Sequence, residues 1–315
     1  PALLPPDPAL HCLAQWVSHD SWASVQHRAR RQGMALGLIA DLAVGFDPHG
    51  AEAAAAGDTA LRGLVLGAPP DAFAPQGQVW GVTSYSPHGL NRTGFSPFIA
   101  LLRAVMRDRG GVRIDHILGL QRLWVVPQGA ASDTGAYLQY PLEDLLNLLA
   151  LESWRHRCIV IGEDLGVVPD GIRQALAERG VMGMDVLAFA RDADGAFLPP
   201  NRWRSVAVAP TGTHDLPTLA GWQRGEDIAV RARLGYATAE ATRLAVQQRQ
   251  RDVARLAHTV GGEGAAADDL RMAAMAHVAA GPAPLALLPV EDALALRGQV
   301  DLPGTGAVFP DWRPP

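Results

Sequence analysis

The chain has 315 residues, 27 basic and 32 acidic side chains, and a net charge of −5, with no basic run that would serve nucleic acid or an anionic membrane. Its two cysteines, Cys12 and Cys158, stand far apart among apolar neighbours, which excludes a disulfide framework or a paired-cysteine metal knuckle and suits a reducing, cytoplasmic compartment. The start, PALLPPDPALHCLAQW, lacks the basic and apolar regions of a signal peptide, and no apolar run approaches the length of a membrane span.

In chain order, strand-like and helix-like segments alternate. Residues 34–44, MALGLIADLAV, form a short apolar run of strand length containing Asp41. Residues 96–111 predict a helix with Ser96 as N-cap, Pro97 in the first turn and glycines at the stop; Phe98, Leu101, Leu102, Val105 and Met106 keep its period. GVRIDHI follows as a strand. Residues 141–157 predict a helix, CIVIGEDLG a strand, 170–180 a capped helix ending at Gly180, and 184–192 another strand. SVAVAPTGTHDLPT begins as a strand and ends in a polar loop; a long helix follows over about 240–260, and PLALLPVEDAL supplies a last short strand. The Ala-rich stretches AEAAAAG and GEGAAADD read as loops or helix ends.

This alternation predicts parallel βαβ units in an α/β protein. At least six strands are expected, and most close on charged or polar residues, as in a (β/α)8 TIM barrel. A doubly wound sheet would show a glycine-rich phosphate turn after its first strand, and none is present.

The strand over 111–117 poses the chemical question. Arg113, Asp115 and His116 interrupt an apolar run, and burying ionised groups is expensive unless they pair with each other or a ligand. Asp41, the pair Glu163 and Asp164, and the pair His214 and Asp215 also stand at strand ends, and in a barrel such ends surround one pocket. Several carboxylates, a guanidinium and histidines, without a thiol or nucleotide loop, suit glycoside chemistry: one carboxylate attacks the anomeric carbon and another exchanges protons with the leaving and entering oxygens. Metal hydrolysis is the rival. Against it, His116 and His214 each adjoin an aspartate, so neighbouring side chains would point apart, and neither HxH nor HExxH occurs.

Four longer segments carry a resemblance. LRGLVLGAPPDAFAPQGQVWGVTSYSP (61–87), VRIDHILGLQRLWVVP, VIGEDLGVVP and TGTHDLPTLAGW resemble, in order and spacing, motifs of the 4-α-glucanotransferases, also called amylomaltases or disproportionating enzymes, of glycoside hydrolase family 77. The likeness extends from about residue 30 to 313. It implies Asp115 as nucleophile, Glu163 as general acid/base and Asp215 as the carboxylate that stabilises the transition state. Arg113 matches the arginine beside the nucleophile and is expected to keep Asp115 ionised, while the apolar flank of Val160 and Ile161 is expected to raise the pKa of Glu163. Asp41, His116 and His214 match sugar-binding positions. Trp80 and Tyr85 fall in the lid segment, where an aromatic face stacks on an acceptor glucose. The implied substrates are α-1,4-glucans and malto-oligosaccharides, with no cofactor and no metal. A related α-amylase-type hydrolase, with water as acceptor, and a non-catalytic glucan-binding fragment are the alternatives.

Two departures stand out. Asp301 replaces the usual asparagine, so it either alters sugar binding or caps a turn, and WGVTSY lacks the usual lid proline. Nothing before Met34 resembles the first barrel strand, whereas 8–33 resembles the helix before the third. The expectation is one catalytic barrel domain over 1–315 lacking its first two βα units, a C-terminal portion with strands 3 to 8, inactive by itself.

Overall fold

The computed structural model describes residues 7–70, 76–262, 264, 266–302 and 309; residues 71–75 of the first family motif and 303–306 near the end lie outside them. Two compact units divide at the middle of one strand, Pro1–Met182 and Gly183–Pro315.

In chain order the first unit holds α1 (Pro8–Arg31), β1 (Ile39–Leu42), α2 (Ala51–Ala56), β2 (Leu64–Ala68), β3 (Gln78–Val79), α3 (Pro87–Arg92), α4 (Ser96–Met106), β4 (Gly111–Ile114), β5 (Arg122–Pro127), β6 (Ala136–Gln139), α5 (Leu142–His156), β7 (Ile159–Gly162) and α6 (Ile172–Glu178). It ends inside β8 (Val181–Met184). The second unit continues with β9 (Ala207–Pro210), α7 (Leu219–Arg224), α8 (Glu226–Arg233), α9 (Ala239–Val260), α10 (Ala267–Ala279), β10 (Leu285–Leu287) and α11 (Val290–Ala293).

The parallel α/β class holds in both units. In the first, β4 pairs in parallel with β1 and β7, and Val181 and Met182 of β8 pair with β7. In the second, Gly183 and Met184 pair with β9, which pairs in parallel with β10. Such strands are covered on both faces, so they are nearly all apolar: Val112, Val160, Ala207, Val208 and Ala209 are buried.

The core of the first unit lies where α4, α5 and α6 cover the strands. Leucines at 145, 146 and 149 recur at helical spacing and pack with Leu102, Met106, Val112, Val160 and Leu176. Glu143 and Asp144 in the first turn of α5, and Arg155 and His156 in the last, complement the helix dipole. Buried Glu152 accepts hydrogen bonds from Arg103 of α4 at 3.0 and 3.1 Å and from Arg155 at 2.8 Å, so its carboxylate is neutralised where it packs.

A second sheet, antiparallel in the order β3-β2-β5-β6, lies within the same unit and has no counterpart in the expected alternation. It leaves no room at Gly67, where a Cβ would collide with the Gln78 carbonyl. The second unit has its own core: Leu187, Phe197, Trp203, Leu219, Leu256, Leu270 and Val278.

Several local expectations are corrected. The strand expected over 184–192 lies at Val181–Met184, because Gly180 takes φ +71° and turns the chain straight from α6 into the strand; Leu187–Phe189 is a 3-10 turn. Ser96 is not the N-cap of α4. Phe95 holds that place at φ 61° without a side-chain bond, and Ser96 is already helical. Helix α6 likewise starts from Gly171, at φ 79°, with no side-chain cap. Residues 8–31 form the helix expected before the first strand, started by the Asp7 side chain accepting from the Ala9 amide at 2.9 Å. None of its residues is buried. No described helix is long and apolar enough to cross a membrane.

Leu149→Ala removes a fully buried side chain and is expected to destabilise the protein by about 2–5 kcal/mol. Leu151→Ala, two residues along on the exposed side of α5, should stay within about 0.5 kcal/mol. Denaturant unfolding of the two variants separates burial from helix propensity.

Candidate active site

The site in the first unit is built by strand register. Asp41 pairs with Arg113 across β1 and β4, and Arg113 pairs with Ile161 across β4 and β7. Side chains alternate along a strand, so Val112 and Ile114 enter the core while Arg113 faces the other way. Asp115 follows β4 two residues after Arg113, and Glu163 follows β7. Backbone bonds hold these ends: the Asp115 amide donates to the Leu42 carbonyl (2.9 Å), Glu163 to Ile114 (3.0 Å) and Ile117 to Glu163 (3.1 Å).

The Arg113 guanidinium collects three carboxylates. Its Nη1 donates to both Asp41 oxygens, at 2.8 and 3.0 Å. Its Nη2 lies 3.0 Å from Asp115 Oδ1 and 3.1 Å from Glu163 Oε2, so those two oxygens are at most about 6 Å apart. That separation suits a carboxylate pair that works through a covalent intermediate, rather than one that leaves room for a water.

One cation cannot neutralise three anions in a partly buried place, and Glu163 responds with a raised pKa. Burial raises its pKa to about 7, and the charge of Asp115 and a hydrogen bond with it add to the rise. The His116 amide, donating to Oε2 at 2.8 Å, and the Arg113 charge act the other way without overcoming burial. This matches the rise expected from the apolar flank of Val160 and Ile161. For Arg113, burial opposes the charge, but the Asp41 hydrogen bond and the charges of Glu163, Asp41 and Asp115 raise its pKa.

His116 takes a left-handed backbone, φ 48° and ψ 56°, a conformation costing a non-glycine residue about 1–3 kcal/mol. The strained turn aims its amide at Glu163. Burial lowers the imidazole pKa against the pull of Asp115, so the ring is neutral at pH 7. An apolar cavity of about 170 Å³ opens beside Asp115 and His116, lined in part by Leu42, Phe46 and Leu120.

Trp80 and Tyr85 are placed differently from each other. The Trp80 ring, partly buried, meets His116 edge-on with centroids 5.4 Å apart. Tyr85 is buried in the main core; its hydroxyl donates to Glu52 (2.8 Å) and its ring packs on Phe46. Tyr85 also lines the cavity beside Asp115 and His116. The segment around both is also tethered despite lacking the proline. Trp80 and Thr83 amides donate to Leu66 and Phe46 carbonyls, and Val82 and Thr83 carbonyls accept from Leu66 and Phe46.

Within the second unit, His214 and Asp215 stand in the loop between β9 and α7, with His214 Nε2 3.5 Å from Asp215 Oδ1. Asp301 comes beside them: one ligand atom from each of His214, Asp215 and Asp301 lies within 4.8 Å of the others. Among the described residues, this is the one group of three that could hold a cation. Gln299 donates to the Asp215 carbonyl at 3.0 Å.

Two supporting acids were only half visible in the sequence. Asp164, noted beside Glu163, is fully buried and accepts from Arg173 Nε at 2.8 Å, which anchors the segment after β7. Asp292, in the PLALLPVEDAL segment, is buried against the residues that flank the His214 loop.

Comparisons with known proteins place the chain in a family. A family model described as 4-alpha-glucanotransferase, glycoside hydrolase family 77, matches residues 5–315. A 4-alpha-glucanotransferase of Mycobacterium tuberculosis is 38% identical over 97% of this chain and 44% of its own length. One from Haemophilus influenzae is 33% identical over 95% of this chain and 44% of its own. The crystal structure of an amylomaltase from Corynebacterium glutamicum superposes with a TM-score of 0.88 at 33% identity, over 99% of this chain and 47% of that one. An amylomaltase from Streptococcus agalactiae in complex with acarbose, 18% identical, shares the fold with a TM-score of 0.75. The chain spans about half the length of these relatives. With the family model covering nearly the whole chain, the protein belongs to the 4-alpha-glucanotransferases of glycoside hydrolase family 77.

Proposed function

We propose that the protein acts as a 4-α-glucanotransferase, moving α-1,4-glucan segments between malto-oligosaccharides by a retaining double displacement in the cytoplasm. The observation that carries this reading is the single Nη2 of Arg113 shared by Asp115 and Glu163, in surroundings whose burial raises the pKa of Glu163. Asp115 attacks the anomeric carbon while the bond to the leaving glycosidic oxygen breaks, and Glu163 delivers its proton to that oxygen. The product is a glucosyl ester on Asp115. The 4-hydroxyl of an incoming glucan then attacks the same carbon, Glu163 takes back the proton, and the Asp115 carboxylate is released.

Asp215 has the role of the third carboxylate, which stabilises the positive charge developing on the sugar; the TGTHDLPT motif supports it. Asp41, His116, His214 and Asp301 serve as sugar-binding groups, and Trp80 offers the aromatic contact. The same reading takes β1, β4, β7, β8, β9 and β10 as the third to eighth strands of a (β/α)8 barrel. Parallel pairing within each unit and the likeness to the Corynebacterium enzyme support it. Carboxylates and a proton suffice for this chemistry, so no metal takes part.

In the natural polypeptide, Asp115→Asn should abolish maltotriose disproportionation with the fold intact, and Glu163→Gln should block it except with donors that carry a good leaving group. Near-normal turnover by either variant would refute the assignment. Treatment with EDTA should leave the rate unchanged.

The pKa of Glu163 makes two further results checkable. Because its carboxyl is protonated more readily in the folded state than in the unfolded one, its contribution to stability is present below about pH 4.3 and lost as the pH rises through about 7. The rate of bond cleavage should fall over the same upper limb, as Glu163 loses its proton. Asp115→Asn removes the neighbouring charge, so the Glu163 carboxyl, followed by carbon-13 NMR, should titrate at lower pH than in the unmodified protein.

A further inference from the structure

The loop that carries His214 and Asp215 runs from 212 to 218, between the last residue of β9, its neighbour Thr211, and the first residue of α7. This loop has Gly212 in open space near its start and one backbone hydrogen bond of its own, from the Leu216 amide to the Thr213 carbonyl at 3.1 Å. Its two ends are bound to one side chain. Asp292 Oδ2 accepts from the Thr211 hydroxyl at 2.6 Å, and Oδ1 accepts from the Leu219 amide at 2.7 Å. Asp292 is 2% exposed and Thr211 3%, so both bonds are made away from water, where a lost partner is most costly.

Asp292 is itself held from behind. Buried Arg271 of α10 donates to its carbonyl oxygen at 2.6 Å. The residues that follow α11 continue along the loop: the Thr218 hydroxyl donates to the Leu296 carbonyl (2.7 Å) and Gln299 donates to the Asp215 carbonyl (3.0 Å). Gly221 of α7 sits so close to the Arg297 carbonyl that a Cβ would collide with it. The segment 292–299 thus grips the loop at its start, middle and end.

We propose that Asp292 is a positioning residue for glucan transfer: by clamping Thr211 and Leu219 with its two carboxylate oxygens, it fixes the loop from which Asp215 and His214 act. This rests on the role given to Asp215 above. A helix cap alone would need only the Leu219 bond. The second oxygen, turned to Thr211 across 81 residues of sequence, ties the strand end to the helix start, and the loop between them is what that closure constrains. Carboxylates that act on a transition state lose most of their effect when displaced by about 1 Å, so the clamp should appear in kcat rather than in substrate binding.

The test uses the natural polypeptide with Asp292→Ala, Asp292→Asn and Thr211→Val, and with Glu152→Gln as a control that removes an equally buried carboxylate from α5. Maltotriose disproportionation and amide hydrogen exchange over 212–219 are both measured. Asp292→Ala should lower kcat about 100-fold with KM within about twofold, and Asp292→Asn, which keeps an acceptor for the Leu219 amide, should recover about tenfold of that loss. Thr211→Val, which removes one of the two bonds, should fall in between. Exchange in the loop should quicken in the same order, while Glu152→Gln should lower the unfolding midpoint and leave kcat unchanged.

Unaltered kcat and exchange in Asp292→Ala, or a loss of kcat that Glu152→Gln shares, would overturn the proposal. Should Asp292→Ala fail to fold, Thr211→Val decides it by the same two readouts. A wild-type protein that does not act on maltotriose would refute the transferase reading instead; the exchange rates would still support the clamp if they rise and overturn it if they do not.

Discussion

Everything chemical in the first unit depends on how the Arg113 guanidinium is shared. Its planar fork has enough donors to hold Asp41 with one nitrogen and both Asp115 and Glu163 with the other. A lysine could supply the charge but not this geometry. With one positive charge among three carboxyl groups, full ionisation would leave the site strongly negative in a poorly solvated place, and protonating Glu163 relieves it. The cation thus organises the site and, by being insufficient, leaves one acid poised to give up a proton near neutral pH.

The sheet makes that arrangement repeatable. Lateral pairing puts Asp41 beside Arg113, alternation brings Asp115 to the same side two residues later, and the end of β7 places Glu163 against the turn that follows β4. The apolar residues between them are packed under α4, α5 and α6, so the strand ends have little freedom to separate. The strained backbone of His116 is kept because its amide and the next one are both spent on Glu163. Packing below therefore fixes charges above.

The second unit reaches a comparable result by different means. Its acids stand on a loop, which strand register cannot fix, and a buried carboxylate from a distant segment performs that task. Asp301 arrives on the same segment, next to His214 and Asp215.

The parallel strands, one of them misplaced, and helices α1, α4, α5, α6 and α9 could be read from the sequence, because apolar periodicity is a local property. Arg113, Asp115 and Glu163 were legible for the same reason: charged residues inside apolar strands contradict their surroundings, and four long motifs gave those positions roles. The misplaced strand at 181–184 and the absent cap at Ser96 turned on φ angles at Gly180 and Phe95 that no pattern of polarity encodes. The antiparallel sheet was hidden because its central pair, β2 and β5, lies more than fifty residues apart in the chain. The sequence by itself determined which charged residues stand at the ends of apolar strands and which family the chain resembles. Only the tertiary structure decided that burial raises the pKa of Glu163, that the Tyr85 hydroxyl is held by Glu52, and that Asp292 grips the Asp215 loop. Those outcomes depend on desolvation and on contacts such as Glu52 with Tyr85 and Thr211 with Asp292, which exist only once distant parts of the chain have come together.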